Sequence, residues 1–336
     1  MISLHAKIEN WPVAGEFRIS RSTITHVTVV KVEARSGVLK GYGECRPYAR
    51  YNETPELVCA QIDSLRDKWE SLTTETLQDF LPAGAARNAV DCALWDLKAQ
   101  RLNKSVSELL HLRPAGAVTT AYTLSIDTAV KMQMAASRAN EYSLLKIKIS
   151  NLKQGLDAAK AILNARPDAE LIIDANEALT VEDTQRLRDA LNGAPILTIE
   201  QPVSAKEKSY KFEADTLPIV CADEALHTGD DLEYLWRQGY RAVNIKLDKA
   251  GGLTESMRVV NKAKSMGFVI MLGCMVGTSL AIAPAMLLSP YADIIDLDGA
   301  ALLSKDRMYN VQYMNGQIMP TPRKLWGYPR GDTRMV

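Results

Sequence analysis

Between Leu144 and Leu247 the chain carries five short apolar runs: LLKIKIS (144–150), ELIIDAN (170–176), PILTIEQP (195–202), PIVCADE (218–224) and RAVNIKL (241–247). Each is β-branched, strand-length and followed by a charged or polar residue, and the segments between most of them have helical spacing, as in LKQGLDAAKAILNAR (152–166). Working outward, VTTAYTLS (118–125) precedes this series, and FVIMLG (268–273) and ADIIDLDG (292–299) follow it. Eight strands alternating with helices predict a parallel sheet, and units of near-constant length favour its closure into a (β/α)7β, TIM-like barrel over an open doubly wound sheet.

The flanks read differently. ITHVTVVKVEA (24–34) alternates as a strand, and SGVLKGYGE (36–44) follows it across a turn at Gly37. Two helical stretches come next, TPELVCAQIDSLRDKWESL (54–72) and AGAARNAVDCALWDLKAQRL (83–102). Strands followed by segregated helices predict an α+β domain over residues 1–113, with HLRPAG (111–116) as the connector. The barrel is then expected over 114–308, and 309–336 as an irregular segment returning to the first domain.

Composition narrows the function. Forty basic residues balance forty acidic ones, so no net field draws nucleic acid or an anionic membrane. The five cysteines are scattered without a CxxC pair, which argues against a disulfide framework or a structural zinc site. No basic start with an apolar stretch opens the chain and no eighteen-residue apolar run occurs, so a cytoplasmic protein without a membrane span is expected. The sequence leaves oligomeric state open, a homo-oligomer included.

The charges at the strand ends carry the chemistry. Lys148, Asp174, Glu200, Asp223, Lys246 and Asp296 follow one another at intervals of 26, 26, 23, 23 and 50 residues, one or two βα repeats each. Any one of them fits a solvated strand end. Six in phase open onto a single face, where barrel active sites sit. Asp174, Glu200 and Asp223 come from consecutive strands, and three carboxylates together raise one another's pKa unless a cation lies between them. All-oxygen ligands call for a hard ion, one Mg2+ first and Mn2+ as a substitute; the four histidines show no metal-ligand spacing. Lys148 and Lys246 flank this set in strand order. Lys146, on the same strand face as Lys148, adds like charge that should pull the Lys148 pKa down toward working pH. Two bases on opposite sides of a substrate make an epimerase by geometry. Asp296 and Asp298 share a strand face and could chelate a cation beside the pocket. Gly251-Gly252 reads as a turn, and Met271 and Met275 as packing.

The ordered set Lys146-Ile147-Lys148, Asp174-Ala175-Asn176, Glu200-Gln201-Pro202, Asp223-Glu224 and Lys246 resembles the muconate-lactonizing branch of the enolase superfamily. That resemblance implies an α+β capping domain over the barrel, one essential magnesium held by Asp174, Glu200 and Asp223, and Lys148 and Lys246 as acid/base pair. Asn176, Glu224 and Lys249 are expected to orient the metal ligands. Asp296-Leu297-Asp298 resembles the pair with which dipeptide epimerases hold a substrate ammonium. Stretches such as GYGECRPYARYNE (41–53), VNIKLDKAGGLTE (243–255) and MLGCM (271–275) are similar to the dipeptide epimerases of murein peptide recycling, which act on alanyl-glutamate. By the same resemblance Thr123, Lys146 and Cys274 line the substrate site and Arg21 receives a side-chain carboxylate. The implied reaction is 1,1-proton transfer through a metal-stabilised enolate, L-Ala-D-Glu to L-Ala-L-Glu. Its alternatives are another dipeptide, a cycloisomerase or o-succinylbenzoate synthase of the same branch, or a protein that binds a metal and a small acid without turnover.

Overall fold

The computed structural model describes residues 2–19, 22–214 and 216–330, with only the backbone described at 16–19 and 22. It opens with β1 (Ser3–Ile19), β2 (Ser22–Ser36) and β3 (Leu39–Cys45), followed by α1 (Pro55–Asp63), α2 (Leu77–Phe80), α3 (Ala85–Leu102) and α4 (Val106–Leu109). The three strands form one antiparallel sheet in the order of the chain. Its buried face, with Val30, Val32 and Ala34, packs on α1 and α3. Helix α3 lies so close to β3 that a Cβ at Gly41 or Gly43 would run into the backbone of Leu97 or Ala89.

The second part alternates. It comprises β4 (Val118–Thr119), β5 (Tyr122–Leu124), α5 (Ala129–Arg138), β6 (Leu144–Lys148), α6 (Leu152–Ala165), β7 (Glu170–Asp174), α7 (Val181–Ala190) and β8 (Ile196–Glu200). After it come β9 (Ile219–Ala222), α8 (Leu232–Arg237), β10 (Ala242–Ile245), α9 (Leu247–Ala250), α10 (Leu253–Ser265), β11 (Val269–Gly273), α11 (Ser279–Met286) and β12 (Ile294–Asp296). Strands β5 to β12 form one eight-stranded sheet in sequence order. Every pair in it is parallel. The sheet closes where the Ala121 N–H donates to the Ile295 carbonyl at 2.8 Å and the Leu297 N–H to the Thr120 hydroxyl at 3.0 Å. The (β/α)7β barrel with an α+β cap is therefore the fold. Inside it Ala121, Leu144, Ile172, Cys221, Ala242, Met271 and Ile294 form one buried layer, while alternate residues such as Leu145, Ile173 and Val243 face the helices.

Two expectations change. No helix joins β8 to β9 among the described residues; QPVSAKEKSYKFEADTLP (201–218) is polar and lacks apolar residues at helical spacing. Nor is the segment after Tyr309 wholly irregular. Strands β13 (Tyr313–Met314) and β14 (Gln317–Ile318) form a hairpin that pairs with β4 across the barrel's edge. The chain then reaches α3, where the Trp326 indole donates to the Cys92 carbonyl at 3.1 Å and Arg330 meets Asp96 at 2.7 Å.

Candidate active site

Parallel register sets the site. Lys148 pairs with Asp174, Asp174 with Glu200, and Glu200 with Cys221, two residues before Asp223, so these side chains meet at one level of the barrel mouth. Left-handed backbone at Asn176 (φ 42°), Glu177 (φ 70°) and Gln201 (φ 33°) turns the chain sharply just beyond β7 and β8. The Gln201 carboxamide oxygen then accepts from the Asp223 N–H at 2.9 Å and the Ala225 N–H at 3.0 Å, tying the third carboxylate to the second strand.

Lysines and carboxylates interleave across this mouth. Lys148 Nζ donates to Asp174 Oδ2 at 2.6 Å and Asn176 Oδ1 at 3.0 Å. Lys246 Nζ donates to Asp223 Oδ2 at 2.7 Å, and Lys249 Nζ sits 2.5 Å from the other oxygen of that carboxylate. Lys146 Nζ lies between three strands, 2.6 Å from Glu200 Oε2, 2.8 Å from Asp296 Oδ2 and 3.1 Å from Asp174 Oδ2. Burial pulls the Lys146 amine down, but Asp296, Glu200 and Asp174 outweigh it and hold it well above the ordinary lysine value. Lys146 is therefore matched to carboxylates of its own, which the expectation of a lone positive neighbour for Lys148 did not include.

Asp174, Glu200 and Asp223 are buried oxygen donors, the type a hard divalent cation takes. Burial, followed by repulsion from Asp174, pushes Glu200 up to about 8, and a cation among the three would relieve that repulsion. The donor set fits magnesium in chemistry. In the structure lysine amines neutralise these oxygens, and among the described residues no group of three or more acidic, histidine or cysteine side chains stands as a preformed metal cage.

The other predicted positions fall around the same pocket. Thr123, Lys146, Lys148, Asn176, Asp223, Glu224, Lys246, Cys274, Asp296 and Asp298 line it. Asp298 accepts from the Thr123 N–H at 2.7 Å and is pushed up to about 6 by burial and by Asp296; Asp296 Oδ1 is buried and has no hydrogen bond among the described residues. Cys274 donates to the Asp296 carbonyl at 3.5 Å, and Asn176 to Glu224 at 3.2 Å. Arg21 lies outside the described residues. Met275, read as packing, lines the pocket instead, because it falls in the loop past the end of β11. Four residues of the cap, Ile24, Arg46, Tyr48 and Tyr51, were not singled out from sequence, yet they line the pocket too. Nor was Asn244, whose carboxamide donates to Glu200 Oε1 at 2.8 Å; its place two residues before Lys246, on the same strand face, was the available signal.

Residues 1–111 match the family described as mandelate racemase / muconate lactonizing enzyme, N-terminal domain, and residues 126–317 match enolase C-terminal domain-like. The chain belongs to the mandelate racemase/muconate lactonizing enzyme family of the enolase superfamily. Within it, the chain is 44% identical over 299 residues to the N-acetyl-D-glutamate racemase of a Pseudoalteromonas species, covering 88% of this chain and 93% of that protein. It is 41% identical over 314 residues to the L-Ala-D/L-Glu epimerase of Escherichia coli K12, covering 92% and 97%. An enolase family member from Agrobacterium tumefaciens with homology to dipeptide epimerases, solved with bound sodium and L-Ala-L-Glu, superimposes with a TM-score of 0.93 at 40% identity, over 97% of this chain and all of that one. These family members are similar to the chain over the barrel and the cap alike.

Proposed function

We propose that this protein is an isomerase that inverts the α-carbon of an N-acylated glutamate, with L-Ala-D-Glu and L-Ala-L-Glu as the preferred pair. The observation that carries the reading is the row of Lys148, Asp174, Glu200, Asp223 and Lys246, an amine at each end of a set of three carboxylates. Asp174, Glu200 and Asp223 would hold one Mg2+, with Mn2+ as a substitute. When bound, that ion supplies the positive charge that favours enolate character in the substrate's carboxylate. One lysine amine accepts the α-proton from one face, and the other lysine's ammonium returns a proton to the opposite face. The reverse reaction exchanges their roles. Asn176, Glu224 and Lys249 orient these groups, and Thr123, Lys146 and Cys274 line the substrate's path. Residues 1–113 are assigned to the cap, 114–308 to the barrel and 309–336 to the returning segment, whose described part ties the two together. A cytoplasmic place in murein peptide recycling suits a substrate of this kind.

The relatives differ in the acyl group. An alanyl substrate has an ammonium, which Asp296 and Asp298 would hold; an acetyl group has none. Racemisation of N-acetylglutamate is the second reading, favoured by the 44% identical relative. One experiment tests both. In D2O with Mg2+, wild-type protein should exchange the α-proton of the glutamate in L-Ala-D-Glu and L-Ala-L-Glu, as followed by proton NMR. Exchange in N-acetylglutamate alone would favour the second reading, and exchange in neither compound would rule out proton transfer.

A further inference from the structure

The loop that follows β11 is held from the other domain. Cys274, Met275 and Val276 line the pocket, and Thr278 then caps the start of α11. Glu44, in β3 of the cap, is 1% exposed and reaches across to this turn. Its Oε1 accepts from the Thr278 N–H at 2.8 Å, and its Oε2 accepts from the Thr278 hydroxyl and from Arg307 Nε at 3.0 Å. Arg307 also donates to the Thr278 hydroxyl at 2.6 Å, pairs with Glu9 at 2.9 Å and lies over the Trp11 ring at 5.0 Å. Beside it, Asp306 accepts from the Ser279 N–H at 3.0 Å. A Cβ at Gly277 would stand 3.2 Å from Glu44 Oε1, so glycine there gives the carboxylate its room. A carboxylate taken out of water is tolerated where its oxygens find donors. Both oxygens of Glu44 do, and the donors stand two residues beyond the pocket wall.

We infer that Glu44, backed by Arg307, is a positioning residue that fixes the pocket wall at 274–276 from the cap. Arg46 and Tyr48, two and four residues after Glu44, line the pocket from the cap, and Arg46 Nη1 donates to the Val276 carbonyl at 3.5 Å. One carboxylate therefore sets the spacing of two walls, one from each domain. That these walls touch substrate rests on the function proposed above. Charge-assisted hydrogen bonds fix a direction as well as a distance, which an apolar contact does not. Glu44→Gln keeps the size and the Oε1 acceptor, but its amide sets a donor against the Thr278 hydroxyl and the Arg307 guanidinium, where two donors already point.

The test follows the rate at which iodoacetamide alkylates Cys274 in substrate-free protein, read by peptide mass spectrometry, beside steady-state kinetics on L-Ala-D-Glu with Mg2+. In wild type the thiol should react slowly, because burial raises its pKa. Glu44→Gln should speed it about 10-fold through local opening of the loop, while the buried Cys92 of α3 and Cys221 of β9 stay protected. Thr278→Val removes the hydroxyl at nearly constant size and should act in the same direction, whereas Thr278→Ser should stay within about twofold of wild type. In Glu44→Gln, KM should rise about 10-fold with kcat changed less than about threefold. An unchanged Cys274 rate in Glu44→Gln and Thr278→Val would overturn the inference. So would Cys92 and Cys221 reacting in step with Cys274, the mark of a loosened fold. A faster Cys274 with an unchanged KM would overturn it as well, since the tie would then not shape the substrate site. A wild type that exchanges no α-proton would overturn the proposed function, and the Cys274 rates would then decide the tie by themselves.

Discussion

Lys148 and Lys246 are held by different carboxylates, Asp174 Oδ2 at 2.6 Å and Asp223 Oδ2 at 2.7 Å, so removing one leaves the other's contacts in place. Lys148→Ala and Lys246→Ala should each lower epimerisation by about 1000-fold or more. One of them should still wash deuterium into a single epimer, because the remaining amine reaches only one face. Normal epimerisation by either variant, measured by polarimetry, would sink the two-base scheme. The pattern of strand-end charges made these two lysines legible in the sequence. It could not show that the Lys146 amine is shared by Asp174, Glu200 and Asp296, since that depends on three side chains that approach only after the barrel closes.

Helices α3 and α10 meet where the cap rests on the barrel. Helix α10 begins at Gly252, which has no side chain to cap it, and Asp91 of α3 takes that role. The Asp91 carboxylate accepts from the Thr254 N–H at 3.0 Å and the Thr254 hydroxyl at 2.6 Å. Burial pushes Asp91 up to about 7, against the lowering contacts from Thr254. The unfolded chain gives up this proton near the ordinary value of 3.8, so between 3.8 and about 7 the folded state holds the extra proton and stability falls as pH rises. Asp91→Asn cannot ionise. Its stability relative to wild type should therefore improve by roughly 1 kcal/mol or more between pH 5 and pH 8, as read from urea midpoints at the two pH values. A constant difference across that range would refute the shift. Both helices were readable from their apolar spacing, but a cap donated across 163 residues was not.

At the scale of the molecule, a cation bound only by the folded barrel stabilises it in proportion to its occupancy. At a hundredfold excess over its Kd, Mg2+ should add about 2.7 kcal/mol to the chelated protein. The corresponding rise in Tm is on the order of 5 °C, and Asp223→Asn should abolish it. A wild-type Tm indifferent to Mg2+ in differential scanning fluorimetry would count against the metal site. The barrel closes through few contacts, Ala121 to Ile295 and Thr123 to Asp298 among them, and the second of these uses a residue of the pocket itself. Closure of the barrel and this side of the site therefore share a contact.

The sequence by itself determined the eight barrel strands, the order of cap and barrel, and the phase that carries Lys148, Asp174, Glu200, Asp223, Lys246 and Asp296 to one face. These follow from local periodicity and from the constant length of βα units, which a single chain displays without its partners. Tertiary structure alone decided which charges find partners. Arg46 and Arg50 look alike in GECRPYARYNE, yet Arg50 pairs with Glu177 while Arg46 lines the pocket over the Tyr48 ring. A charge-charge contact depends on distances of a few ångströms between residues far apart in sequence, and those distances exist only in the folded molecule.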